Sequence, residues 1–319
     1  MKHESTTLQG FAVGDGCLGT ETDICGVITP NGDALPNYWD LLFLAGHGQI
    51  PLRTYKQVMD ACRKQFDDDF SSSSSSLMED TLCKEAWQKV ERQVGGVYAY
   101  GLYDECTYEN GLSSSLQGGL NDYPCGGDIV MERYFAMDEV KLAFHLKSDF
   151  FQTDNAEGDF RYTPTEPDLR DFYKQMNGLL RIIVYNGDAD PASKKFCFEL
   201  AVISPMCSSC LLRFPVNSFA AQNWTSRLGL AEEQEWRPWT VDGCRWMGGY
   251  VTRYEGDFDY LTIRGAGHMV PTIKPAASFA FMKAWINNED YAAYNKDCKS
   301  PASRDRQSSL APDSPAEAQ

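Results

Sequence analysis

The sequence predicts an α/β fold on three observations. The first is Ile182-Ile183-Val184, a short β-branched run closed by the turn residues Asn186 to Pro191. Such a run is expected of a parallel strand buried on both faces. The second is the stretch FDYLTI, where Phe258, Tyr260 and Ile263 stand among polar neighbours and predict an alternating strand. That strand breaks into Gly265-Ala266-Gly267, which lets the backbone turn sharply and delivers His268. The third is Pro275 at a first helical position, opening a helix expected to carry Phe279, Met282 and Ile286 on one face. A histidine between a strand end and a helix is where α/β enzymes place a general base.

A lone histidine is more often a satisfied core residue, so the reading needs a partner for it. The turn after the first strand supplies two carboxylates, Asp188 and Asp190. A carboxylate at one strand end can accept the Nδ1 proton of an imidazole at a neighbouring strand end, fixing its tautomer and stabilising the imidazolium. Asp188 reads as turn chemistry, an Asx-type cap. The assignment of Asp190 to the histidine rests on a resemblance carried by the two stretches themselves.

Tyr185-Asn186-Gly187-Asp188-Ala189-Asp190 and Arg264-Gly265-Ala266-Gly267-His268-Met269-Val270-Pro271 resemble the acid and histidine motifs of the serine carboxypeptidase family of α/β-hydrolases. Further matches run along the chain: LQGFAVGDG from Leu8 to Gly16, YDEC from Tyr103 to Cys106, and a Pro-Cys pair at Cys125. QNWT from Gln222 to Thr225 and WRPWTVDG from Trp236 to Gly243 add to them. The resemblance implies a serine-type carboxypeptidase that releases C-terminal residues from peptides, with Asp190 as triad acid and His268 as general base. It implies Met269 as a residue lining the leaving-residue pocket, beside an equally open packing role. Peptide or protein C-termini are the expected substrates, no cofactor is expected, and the implied location is lysosomal, vacuolar or secreted.

The nucleophile is not where that resemblance would put it. The family's serine sits in a Gly-Glu-Ser-Tyr-Ala-Gly elbow, after a Trp-Asn-Gly-Gly-Pro-Gly oxyanion segment, and neither occurs in these 319 residues; nor does any Gly-x-Ser-x-Gly. The expectation is therefore a partial α/β-hydrolase, the C-terminal half of the sheet with a helical, cysteine-rich cap insertion, truncated at its N-terminus and inactive as it stands. The alternatives are a non-catalytic binding fragment and an acyltransferase of the same family.

The chain divides accordingly. Residues 1–36 open the residual core with a strand at Leu8 to Val13, and 37–127 form the cap insertion. Helices are predicted at Tyr38 to Leu44 and at Arg53 to Phe66. A solvated serine run, Ser71 to Ser76, follows, and then a helix opened by a Ser76/Glu79 capping box, with Cys83, Trp87, Val90 and Val94 on one stripe. Residues 128–290 are the C-terminal core, with two helical segments over Val130 to Leu146 broken near Met137-Asp138, and a helix over Thr163 to Asn177. Within it, 192–215 is an unusual insert with three cysteines and no polar face, either a loop or untranslated sequence such as a retained intron, the second favoured. Trp236 to Trp239 reads as packing, and 291–319 as a disordered tail.

Composition narrows the partners. A formal charge of −16 argues against nucleic acid or an anionic membrane. No apolar run reaches membrane-spanning length, and the N-terminus has no signal-peptide core. Eleven cysteines point to an oxidising compartment and disulfides. Four histidines without shared ligand spacing argue against zinc, and Cys207-x-x-Cys210 lacks a second ligand pair.

Overall fold

A computed structural model describes residues 8–19, 38–63, 66, 80–94, 101–103, 133–145, 166–191 and 217–298. The insert at 192–215, the serine run, Cys106, Cys125 and the tail from 299 lie outside these residues. Among the described residues five strands form one sheet: β1 (Gly10–Gly14), β2 (Arg181–Gly187), β3 (Glu232–Thr240), β4 (Met247–Tyr254) and β5 (Phe258–Ile263), in the order β1-β2-β5-β4-β3. β1 runs parallel to β2 and β2 parallel to β5, with Gly14 beside Tyr185 and Gly187 beside Ile263. This register brings the carboxyl ends of three strands to one edge, and the turns that follow them meet there.

The far side of the sheet is an antiparallel addition, β5 to β4 to β3, that the sequence reading missed. β3 reads EEQEWRPWT, with a proline and three glutamates, which depletes it of strand signal. Pro238 is tolerated because β3 pairs only with β4 among the described strands, as an edge strand does. Trp239 is buried as packing, and Trp236 stacks on Tyr250.

Two expectations are corrected here. β5 does not alternate: all six of its residues are buried. Its polar members are paired inside instead. Asp259 accepts from Arg253 Nε at 3.0 Å and from the Tyr291 hydroxyl at 2.7 Å, and Thr262 Oγ1 accepts from Tyr250 N at 3.2 Å. The helix opened by Pro275, α8 (Pro275–Ile286), turns a different face inward. Ala277, Ser278 and Phe281 are buried, while Phe279 and Ile286 are 71% and 58% exposed. This helix is apolar nearly all round, so periodicity selects no face, and small residues at 277 and 278 permit the closer approach to the sheet.

Helices before β2 include α1 (Tyr38–Gly46), α2 (Leu52–Cys62), α3 (Thr81–Val94), α4 (Asp138–Ala143) and α5 (Arg170–Met176), with a further helical turn at 133–135. A break at residues 136–137 precedes α4, as expected. α5 starts later than predicted, after Pro167, where Asp168 Oδ1 accepts from Arg170 N at 2.9 Å. α1 to α3 share a cluster around Phe43, Val58, Cys62, Cys83 and Val90, and the Cys62–Cys83 disulfide ties α2 to α3. Phe219 on α6 (Ser218–Ser226) packs edge-on against Phe43 and joins this cluster to the sheet. A second disulfide joins Cys244 to Cys298.

α3 begins at Thr81, beyond the Ser76/Glu79 box. Asp80 caps it, Oδ1 accepting from Leu82 N at 3.0 Å and Cys83 N at 3.3 Å. An aspartate at this position satisfies two of the first turn's orphan N–H groups and places a negative charge at the positive helix end. Asp80→Ala should therefore cost about 1 kcal/mol in urea unfolding. Asp80→Asn should recover most of it, and an alanine variant as stable as the parent would contradict the cap.

Candidate active site

The turns after β2 and β5 are laced together by backbone. Asp188 N donates to Ile263 O at 3.1 Å and Ala189 N to Ala266 O at 2.8 Å. A Cβ on Gly187 would collide with the carbonyls of Ala266 and Gly267, so glycine is what lets the two turns close on each other. Asp188 Oδ1 accepts from Gly265 N at 2.5 Å, 77 residues away, so it ties one turn to the other where a local Asx-type cap was expected, and Gly265 takes a left-handed φ of 68°. Burial pushes the Asp188 carboxyl up, opposed first by that N–H and then by the positive charge of His47, Arg264 and Lys274.

From this lattice Asp190 and His268 meet. Asp190 is fully buried, and its Oδ2 lies 3.1 Å from His268 Nδ1, across 78 residues of sequence. The histidine side chain keeps 30% of its surface exposed. One nitrogen is thus set against a buried carboxylate while the ring stays reachable. Met269 follows, half-buried, at the N-cap of α7 (Val270–Ile273), its carbonyl accepting from Thr272 N and Ile273 N at 3.0 Å each.

A third acid stands beside this pair, and the sequence reading took it only as part of a turn. Asp15 closes β1, is buried, and has a left-handed φ of 47°. Its N–H donates to Tyr185 O at 2.9 Å, and its Oδ1 accepts from Asn186 Nδ2 at 2.9 Å and Gly187 N at 3.3 Å. Burial, followed by the charge of Asp190, holds its carboxyl well above the ordinary aspartate range. The available signal was an aspartate between glycines at the end of a strand, but its neighbours are set by β1–β2 register.

Asp15, Asp190 and His268 each place one ligand-capable atom within 4.8 Å of the others. Those atoms already serve one another and the β2 turn: Asp15 Oδ1 holds two N–H groups, and Asp190 holds the imidazole. A cation held by the oxygens and nitrogen that make these bonds would have to displace them.

The profile of the serine carboxypeptidase family, peptidase S10, matches residues 1–204 and 214–288. The chain belongs to the serine carboxypeptidase family. Apart from 289–319, the unmatched residues are 205–213, which fall inside the stretch expected as an insert. Serine carboxypeptidase-like 36 of Arabidopsis thaliana is 27% identical over 260 residues, covering 77% of this chain and 46% of its own. The lysosomal protective protein of Mus musculus is 24% identical over 331 residues, covering 91% and 61%. The chain spans about half the length of the curated family members it matches, 46% and 55% of the first two. Kex1(delta)p, a prohormone-processing carboxypeptidase from Saccharomyces cerevisiae, overlays 92% of this chain and 59% of its own at a TM-score of 0.46 and 14% identity.

Proposed function

We propose that this chain carries the acid and the base of a serine carboxypeptidase's hydrolytic relay. The observation that carries the reading is the 3.1 Å contact between a fully buried Asp190 and the Nδ1 of a partly exposed His268. Asp190 holds the Nδ1 proton, which leaves Nε2 as the basic nitrogen of the neutral ring. In the complete reaction Nε2 takes a proton from the attacking serine and returns it to the leaving amine, while Asp190 steadies the imidazolium. The substrates are peptide C-termini, with Met269 beside the leaving residue.

The serine and the oxyanion donors lie outside these 319 residues in this reading, since no Gly-x-Ser-x-Gly occurs among them. The same observation favours a second reading, in which the chain is a non-catalytic fragment that binds and does not hydrolyse. The shared cluster of α1 to α3 supports a cap over the relay, within residues 37–127. The Cys62–Cys83 and Cys244–Cys298 disulfides fit an oxidising compartment. With a mouse relative named as lysosomal, they support a lysosomal, vacuolar or secreted location. No helix among the described residues is long and apolar enough to cross a membrane.

The acid–base pairing is tested without any turnover. Long-range 1H–15N spectra of the histidines, with His268 assigned by its loss in His268→Gln, should show the proton on Nδ1. In Asp190→Asn the side-chain amide donates to Nδ1 and the ring should switch to the Nε2–H tautomer, the wrong one for a base. An Nε2–H ring in the parent, or an unchanged spectrum in Asp190→Asn, would overturn the assignment.

A further inference from the structure

We propose that Asp15 is a positioning residue that keeps a proton and donates it to Asp190, so that Asp190 remains the anion held against His268. The proposal rests on the reading of Asp190 and His268 as an acid–base pair and adds a third member to it. Two buried carboxyls this close resist ionising together, because each negative charge raises the cost of the other in a low-dielectric setting. Among the described residues, the groups facing Asp15 are Asp190 and His268 from the two turns, Asn186 and Tyr185 from β2, and Tyr260 from β5. None of these is a lysine or an arginine. A proton held between the two carboxyls removes their repulsion, and the hydrogen bonds around Asp15 point to where it sits.

Asp15 Oδ1 is occupied by two donors, the Asn186 amide and the Gly187 N–H. That leaves its other oxygen to carry the proton toward Asp190, since the two carboxyls and the imidazole each place an atom within 4.8 Å of the others. Asp190 meets the imidazole through Oδ2, and its negative charge is the one that gains when His268 becomes an imidazolium. The neutral carboxyl thus belongs to Asp15 and the charge to Asp190. The backbone also suits an aspartate here, since φ at Asp15 is 47°, a conformation in which aspartate is among the few tolerated side chains. Burial and the neighbouring charge of Asp190 move its titration in the same direction.

The sign of the pH dependence follows. A carboxyl raised in the folded state contributes stability that is full below its unfolded value of about 3.9 and is lost as pH rises through the folded value. Asp15→Asn keeps a donor toward Asp190 but has no proton to lose. Its melting temperature relative to the parent should therefore rise steadily from pH 4 to pH 8. Asp15→Ala removes the donor, and the His268 Nδ1–H signal should weaken or be lost, whereas Asp15→Asn should retain it. In the parent, the 13C carboxyl resonance of Asp15 should titrate above the ordinary aspartate range.

A pH-independent stability gap between parent and Asp15→Asn, or an Asp15 carboxyl that titrates near the ordinary value, overturns the proposal. If Asp15→Ala does not fold, the Asn variant and the carboxyl titration still decide. A parent ring already in the Nε2–H form would instead sink the acid–base reading itself, so the two failures are distinguishable.

Discussion

Purified alone, the 319-residue polypeptide is expected to release C-terminal residues from an N-blocked dipeptide at the rate of buffer. A complete serine triad that loses one member falls by about four to six orders of magnitude in kcat. What survives such a loss comes from the oxyanion hole and from substrate binding. An imidazole oriented by Asp190 raises the basicity available to a nucleophile, yet no serine elbow occurs in this sequence for it to act on. His268→Ala should therefore leave the measured rate unchanged in the isolated chain, which makes the contrast informative. Turnover that is abolished both by His268→Ala and by a serine-directed phosphonylating reagent would show that some other serine among these residues completes the relay.

The parts of the site that were legible in sequence were those written in one continuous stretch. Asp190 and His268 each follow a strand through a tight turn, and the parallel β2–β5 register brings the two turns together. Asp15 was not legible because its meaning depends on pairing: the Asn186 amide that it accepts from is 171 positions away. The β-branched run of β2 read correctly as buried on both faces. β5 was misread because Asp259 and Thr262 look like a solvent face, whereas Arg253, Tyr291 and Tyr250 satisfy them inside. Local pattern reports polarity, and only tertiary partners decide whether polarity means water. The same limit hid β3, whose glutamates and Pro238 describe an exposed edge strand better than a loop only once β4 lies beside it.

Trp239→Ala should be the most destabilising single change in the sheet, by about 3–5 kcal/mol, the usual cost of emptying a large buried aromatic site. Trp239 is 1% exposed and packs edge-on against Phe281 of α8, with ring centroids 6.3 Å apart. A Cβ at Gly248 would overlap its ring, so β4 has been cleared of a side chain to admit it. Its Nε1–H donates to Thr262 O at 3.1 Å, on the strand that leads into the His268 turn. Trp239→Phe fills part of the space but leaves that carbonyl without the indole donor, so it should fall between parent and alanine. Urea midpoints read at an unchanged m-value measure both. The His268 tautomer should nevertheless persist in whatever fraction remains folded. The turn is also held by the backbone pairing of β2 with β5 and by Asp188 on Gly265 N, bonds that the substitution leaves in place. A loss below about 1 kcal/mol would mean that the sheet does not depend on this wedge. A tautomer change in the folded alanine variant would mean that the relay is held by the packing behind β5 as well as by the turn it ends in.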